Sequence, residues 1–268
     1  MITEIITEDS IGKYIKVLKN EEIFGILNGR FSCVGACDEQ TGLPQGILSA
    51  EIHMEYIQVR RVYVLPGYQE EDVAAELLEI ITDLPEELKQ PILYYEVEDL
   101  VDESLLSRYG FTEVKCGCSL IEGDLGHYKE IKAPPMNFSI GTLDQASPDM
   151  VRAFILASDY DKYLQIPDGY PDATRFSDGS LVIMAHGKVI GVILLEEMDD
   201  VIRVPYIHAK SNVALLYALH VLRKVLLSEY SLKARVQFLM RDGIGREAIR
   251  VLMDRGVEKK IRMFRYEG

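Results

Sequence analysis

A chain of 268 residues, 48% hydrophobic and 27% charged, has the make-up of a soluble globular protein with room for one large domain or two ordinary ones. No apolar run reaches the roughly 18 residues a membrane-spanning helix needs, so no membrane span is expected. The net charge of −14 is uneven, with −15 in residues 1–134 and +1 in residues 135–268. That balance speaks against nucleic acid and anionic membranes and leaves cationic partners open, although solubility alone explains it as well.

The N-terminus MITEIITEDS shows no basic stretch followed by an apolar one, so no secretory signal is expected and a cytoplasmic location is the default. Four cysteines fall in the first half: Cys33 and Cys37 on one predicted strand, Cys116 and Cys118 on another. They read either as a zinc or redox site or as small apolar fillers of a sheet in a reducing compartment. Neither spacing is that of a zinc knuckle, and His53, His127, His186, His208 and His220 are scattered, so no metal site is expected.

In chain order, residues 1–30 open with a strand-like MITEIIT and a helical pattern carrying Ile11, Tyr14, Ile15 and Leu18, capped by Ser10. Phe31 to Cys37 and Gln45 to His53 read as a hairpin around a turn-rich segment. From Tyr56 to Leu65 the chain is rich in β-branched and aromatic residues, with Val62 and Val64 alternating, and reads as a strand. Pro66-Gly67 stops it, because proline has no N–H for a ladder. The period then changes: Val73, Leu77, Leu78 and Ile81 share one helix face. A helix that starts straight after a strand leaves several N–H groups unpaired, which makes its start an anion site. Pro91 to Val97 is the next strand, Leu100 to Tyr109 a helix stopped by Gly110, and Phe111 to Ile121 another strand.

The segment GDLGHYKEIKAPPMN (residues 123–137) reads as a linker, which predicts domains at 1–130 and 131–268. The second half repeats the plan. Phe138 to Leu143 is a strand, and Ser147-Pro148 opens a helix. Residues 159–177 are irregular. Leu181 to Ala185 and Val189 to Leu195 form a hairpin, and Val201 to His208 is a strand containing Pro205. Val213 to Leu227 is an amphipathic helix, Ala234 to Met240 a strand, Arg246 to Arg255 a helix ended by Gly256, and Val257 to Tyr266 a last strand. With Pro66 and Pro205 as landmarks, the distance to the late glycine is 44 residues in one copy (66 to 110) and 51 in the other (205 to 256). The expected class is α/β (α+β), a mixed sheet with helices on its faces, written twice.

Val62 to Leu78, V-Y-V-L-P-G-Y-Q-x-x-D-V-A-x-E-L-L, resembles the acyl-CoA-binding motif of the GNAT N-acetyltransferase superfamily. His186 to Gly191 (HGKVIG) is similar to that family's second hairpin. Ser107 to Phe111 and Met253 to Val257 are similar to its late helix-to-strand junction. The resemblance implies two tandem GNAT-like acyl-CoA N-acyltransferase folds, with acetyl-CoA or another acyl-CoA as cofactor and a small-molecule amine as acceptor. In the first half it implies cofactor binding by Val62, Val64, Gln69, Asp72, Val73 and Ala74. Gln69 and Ala74 match the phosphate loop, and Asp72 stands where its first glycine belongs. The second half offers His208, Lys210, Ser211 and Asn212 in the corresponding loop.

Charge weighs against the first loop. Glu70, Glu71 and Asp72 suit a helix start but oppose a pyrophosphate. A like charge at about 4 Å costs roughly 1 kcal/mol in water and about 4 kcal/mol at an effective dielectric near 20. The second loop has no acid and carries Lys210, with Arg241, Arg246 and Arg250 further along. Motif shape favours the first half and charge favours the second. As catalytic groups, Glu96 or Glu98, or Asp199 and Asp200, are candidate bases, and each also reads as a surface carboxylate. Tyr109 is the nearest candidate acid, because the family's tyrosine positions hold Leu106 and Leu252. The alternative is a non-catalytic, degenerate GNAT-like module serving binding or dimerisation, and a homodimer fits either reading.

Overall fold

The computed structural model describes residues 1–68, 70–83, 90–96, 103–135, 138–166, 176–198, 201–241 and 243–267; of residues 70, 71, 95 and 96 it describes the backbone. The chain forms two compact units. Unit 1 is Met1–Lys115 together with Ile261–Gly268, and unit 2 is Cys116–Lys260.

Unit 1 runs β1 (Ile2–Ile6), α1 (Ile11–Tyr14), α2 (Asn20–Leu27), β2 (Phe31–Cys37), β3 (Pro44–Ile52), β4 (Ile57–Val64), α3 (Glu70–Thr82), β5 (Ile92–Glu96), α4 (Glu103–Arg108) and β6 (Thr112–Val114). Unit 2 runs β7 (Cys118–Asp124), β8 (Ser139–Thr142), α5 (Pro148–Leu156), β9 (Leu181–Ala185), β10 (Lys188–Met198), β11 (Val201–Ala209), α6 (Asn212–Glu229), β12 (Arg235–Arg241), α7 (Ile244–Leu252) and β13 (Val257–Lys260). The last strand, β14 (Arg262–Tyr266), returns to unit 1.

Each unit holds one seven-stranded sheet, in the orders β1-β2-β3-β4-β5-β14-β6 and β8-β9-β10-β11-β12-β7-β13. The plan is therefore the same twice, with one parallel contact in each sheet, β4 with β5 and β11 with β12. The sixth strand of each sheet comes from a distant part of the sequence. Two stretches that read as single strands are each broken to allow this. Residues 111–121 divide at Gly117, whose φ of +66° is the left-handed geometry glycine adopts without cost. Residues 257–266 divide at Ile261, which is buried.

The partition therefore falls at 115/116 and 260/261, not at 130/131. The segment expected as a linker is packed. Leu125, Tyr128 and Ile131 belong to the core of unit 2. Tyr128 donates from its hydroxyl to the Leu219 carbonyl at 3.0 Å, and Arg223 Nε donates to the Tyr128 carbonyl at 2.8 Å. Proline and glycine signalled an irregular backbone there, and irregular backbone can still be buried when side chains satisfy its carbonyls.

Apolar periodicity locates the cores. Val73, Leu77, Leu78 and Ile81 of α3 pack on β2, β3 and β4, in one cluster with Phe264 of β14. Leu215, Ala218, Leu219, Leu222 and Leu226 of α6 do the same in unit 2. Gly110, at φ +79°, ends α4 as expected, with the Phe111 N–H bonded back to the Leu106 carbonyl at 3.0 Å. In the second copy Arg255 takes the left-handed position (φ +62°), not Gly256. Among the described residues no helix is long and apolar enough to cross a membrane.

Phe264 ties the last strand to a core otherwise drawn from residues between Ala36 and Phe111. Phe264→Ala should cost about 3–5 kcal/mol. Hydrogen exchange should then quicken in β4, β5 and β6 while β9 to β11 keep their protection; the reverse pattern would contradict the place of β14.

Candidate functional site

The parallel pair in each unit is short. β11 and β12 pair from Val201 with Arg235 to Val204 with Phe238, then part, although β11 continues to Ala209 and β12 to Arg241. A bulge falls where they part: Val204 and Pro205 together oppose Leu195 of β10. The extra residue bends β11 away from β12 and opens a fork. In unit 1 β4 and β5 part after Val59 and Tyr94, and Arg60 is the extra residue. Pro205 thus corresponds to Arg60, and Pro66 to Ser211. The two landmark prolines are not equivalent. Measured from the bulge, the spacing to the late glycine is nearly constant, 60 to 110 and 205 to 256.

The fork of unit 2 opens into a cavity of about 310 Å³ lined by the end of β11, the start of α6, the end of β12 and the Gly243–Gly245 turn. Its walls follow from the ladder. The Lys210 N–H bonds the Ile190 carbonyl at 2.9 Å, and Val192 opposes His208 in the same register. In an antiparallel ladder the alternate residues point the other way. The N–H groups of Ile207 and Ala209 therefore face the fork, an open edge on which an extended chain with amide groups can pair. Pro205 has the same parity and no N–H to offer.

At the outer end α6 begins. Ser211 caps it, its Oγ accepting from the Ala214 N–H at 3.2 Å. The N–H groups of Asn212 and Val213 are left without helical acceptors. Lys210 and Arg241 line the same cavity. Lys210 Nζ lies 5.7 Å from the Phe154 ring centre. Arg241 Nη1 sits 3.1 Å from both the Tyr160 carbonyl and an Asp159 carboxylate oxygen. The Asp159 side chain is 80% exposed, so that ion pair is weak and leaves Arg241 available to an anion. Two cations and a helix start form a donor set suited to a polyanion such as the phosphates of CoA.

Tyr206, His208 and Lys210 alternate along β11 on the face turned to α5. Tyr206 hydrogen-bonds Ser158 Oγ at 2.7 Å, and Ser158 Oγ donates to the Ile155 carbonyl at 2.7 Å, so the phenol O–H is the donor to Ser158 Oγ. Burial raises the Tyr206 phenol well above its ordinary range and keeps it protonated. His208 lies with its ring 5.5 Å from that of Phe154 and 6.3 Å from that of Tyr206. Desolvation by these neighbours lowers its pKa from 6.5, and the Asp159 charge works the other way without reversing it. The imidazole is therefore neutral at physiological pH and lines the cavity.

Unit 1 treats the same face differently. Arg61, which corresponds to Tyr206, is locked to Glu22 of α2. Its Nε donates to Glu22 Oε1 at 2.9 Å, and its Nη2 reaches Glu22 Oε2 at 2.5 Å and the Val17 carbonyl at 2.6 Å. Ser49 Oγ and the Lys19 N–H complete the carboxylate, each at 2.8 Å. Burial works to raise the Glu22 carboxyl, and the hydrogen bonds and charge of Arg61, with Lys19 and Ser49, outweigh it and hold the pKa below 4.5. Val62, Val73 and Ala74 are buried in the core of unit 1, Val64 packs against it and Asp72 is exposed. Gln69 lies outside the described residues.

Of the candidate catalytic groups, Glu98, Asp199 and Asp200 also lie outside the described residues. Glu96 pairs through its backbone with Arg262 in β5, and its side chain lies outside them too. Tyr109 packs against the core of unit 1, with burial raising its pKa. The structure brings together His208, Lys210, Ser211 and Asn212 at the cavity. Sequence reasoning missed Tyr206, Asp159, Gln165 and the Gly243–Gly245 turn beside them. Alternation along β11 could have flagged Tyr206 and His208 as facing one way, and Gly-x-Gly at the start of α7 was a visible turn signal.

These features define two GNAT folds in tandem. No protein-family model matches the chain, and no curated protein does. Solved structures do. A tandem GNAT protein from the clavulanic acid biosynthesis pathway covers 100% of this chain and 99% of its own, at a TM-score of 0.66 and 12% identity. A putative acetyltransferase from Pyrococcus horikoshii covers 98% of this chain and 88% of its own, at a TM-score of 0.59 and 13% identity. A GCN5-related N-acetyltransferase from Kribbella flavida covers 98% and 70%, at 0.51 and 12%.

The Glu22–Arg61 pair yields a pH test of unit 1. Because the folded pKa of Glu22 is depressed, its stabilisation is present above the unfolded value near 4.5 and is lost as pH falls through the folded pKa. Glu22→Gln should flatten that part of the acid dependence of thermal unfolding and lower stability at pH 7 by about 3–5 kcal/mol. An unchanged acid limb would remove Glu22 as its source.

Proposed function

We propose that this protein is an acyl-CoA-dependent N-acyltransferase whose active site is the fork of unit 2, with acetyl-CoA as donor and a small amine as acceptor. One observation carries the reading. The open edge of β11, the start of α6, Lys210 and Arg241 surround one cavity, and a neutral imidazole lines it. Acyl-CoA supplies the activated acyl group when bound. The N–H groups of Ile207 and Ala209 offer hydrogen bonds to amide carbonyls of an extended arm, while Lys210, Arg241 and the first N–H groups of α6 neutralise phosphate charge.

His208 acts as the general base, taking the proton the amine sheds as its nitrogen attacks the thioester carbonyl; the C–S bond breaks and CoA leaves as its thiolate, which regains a proton from the imidazolium or from solvent. Its depressed pKa keeps it unprotonated over a wider pH range than an ordinary histidine. Tyr206 stays protonated and holds β11 to the end of α5 through Ser158. Unit 1, with Arg61 tied down and three acids at its helix start, fits the role of a scaffold. The reading of a wholly non-catalytic module has less support, because the unit 2 fork retains both a cation-rich mouth and a base.

Two measurements test this. Calorimetry should show acetyl-CoA binding that Lys210→Glu weakens about tenfold or more, about 1.4 kcal/mol or more in binding free energy, and that Glu22→Gln leaves alone. Equal binding by Lys210→Glu would move the site elsewhere. In steady-state assays the acid limb of kcat/KM should have its midpoint below pH 6.5, since neutral His208 is the active form. His208→Gln should slow turnover by about 10²–10⁴-fold and abolish that limb; a variant with the limb intact would exclude His208 as base.

A further inference from the structure

The inner end of the unit 2 fork is closed by a side chain. One residue beyond the last paired positions, the carbonyls of Pro205 and Leu239 have no ladder partner, because the two strands have parted. Gln165 fills the gap. Its Nε2 donates to the Pro205 carbonyl at 2.9 Å and to the Leu239 carbonyl at 3.0 Å, which commits both protons. Its Oε1 accepts from the Asp161 N–H at 2.9 Å.

The turn that presents this amide is held by its own hydrogen bonds. The Gln165 N–H bonds the Asp161 carbonyl at 3.0 Å, and Asp161 Oδ1 accepts from the N–H groups of Tyr163 at 3.0 Å and Leu164 at 2.7 Å. Gln165 and Asp161 are both buried, and Gln165 lines the cavity. A buried amide with both ends satisfied resists displacement, since moving it strands its own polar atoms and two backbone carbonyls together.

We propose that Gln165 is the acyl stop of the site, restricting it to short acyl groups; this rests on the reading of unit 2 as an acyl-CoA site. An acyl group that follows β11 inward past Ile207 meets the carboxamide where the strands meet. A two-carbon acyl group ends before it. A longer, apolar chain has to push it aside, and methylene groups cannot replace the three hydrogen bonds lost. CoA without an acyl group does not reach it.

The test is binding, read by calorimetry with CoA, acetyl-CoA and octanoyl-CoA. The unaltered protein should bind octanoyl-CoA at least tenfold more weakly than acetyl-CoA, and equal affinities would overturn the stop without any variant. Gln165→Ala should close that gap to within about threefold while leaving the affinity for CoA within about twofold. A gap that persists in the folded variant would assign Gln165 a purely structural role and overturn the proposal. Gln165→Asn, which withdraws the same amide by one methylene, carries the same test if the alanine variant does not fold, and should narrow the gap. Absence of CoA binding by the unaltered protein would overturn the proposed function and the stop with it, whereas CoA binding with unaltered chain-length preference would overturn the stop alone.

Discussion

Two parallel strands that part after four paired residues leave backbone groups that cannot go unpaired in a protein interior. The architecture of unit 2 follows from this constraint. The bulge at Val204–Pro205 makes the strands part, and the fork then needs donors and acceptors from elsewhere. At the inner end Gln165 provides two donors to two orphaned carbonyls. At the outer end the first N–H groups of α6 and the fork-facing N–H groups of Ile207 and Ala209 remain as donors for an anionic or amide-bearing ligand. The proposed site is the part of the backbone that the fold itself leaves unsatisfied.

The two units make opposite electrostatic choices on this shared frame. Unit 1 puts an arginine where unit 2 has Tyr206 and neutralises it with a buried glutamate from α2, adding hydrogen bonds from Ser49 and Lys19. A buried pair of that kind is tolerated when hydrogen bonds satisfy it, and here each Glu22 oxygen accepts two. Its acids at the helix start stabilise α3 and repel phosphate. Unit 2 keeps apolar and aromatic groups on the corresponding face, which leaves His208 uncharged, and keeps its cations at the mouth. Charge favoured the second half from sequence, and Lys210 and Arg241 both line the cavity described in unit 2. The motif argument had favoured the first.

Much of the fold was legible because it rests on local rules. The apolar face of α3, the left-handed Gly110 and the cap-then-proline signal at Ser147-Pro148 are decided within a few residues, and they stand where the sequence put them. What failed were inferences that needed tertiary pairing. Pro66 and Pro205 look like matching landmarks because both are prolines, yet one ends a strand and the other sits in a bulge whose position depends on a register with β10. The strand breaks at 115–117 and 261 carry only one local signal, Gly117, and no sequence period announces which sheet a strand joins. Gln165 was invisible for a related reason, since its value lies in two carbonyls 40 and 74 residues away.

The strand arrangement has an explanation in chain geometry. Unit 2 is a continuous insertion into unit 1, entering after Lys115 and leaving before Ile261. Such an insertion needs the two ends of the inserted unit to be neighbours, and they are: Ser119 near the start of unit 2 pairs with Lys260 at its end. It also needs the host to be cut between neighbours, and Val114 pairs with Met263. Both requirements are met by the same pair of adjacent antiparallel strands in each sheet, which is why the exchange can occur without disturbing either sheet's order. The consequence is unequal. Unit 2, with its cavity-lined fork, is complete in a single stretch of chain, whereas unit 1 waits for the last eight residues to supply the strand between β5 and β6. Loop-closure entropy grows only with the logarithm of the intervening length, so this long-range pairing is slow to find and costs little once made.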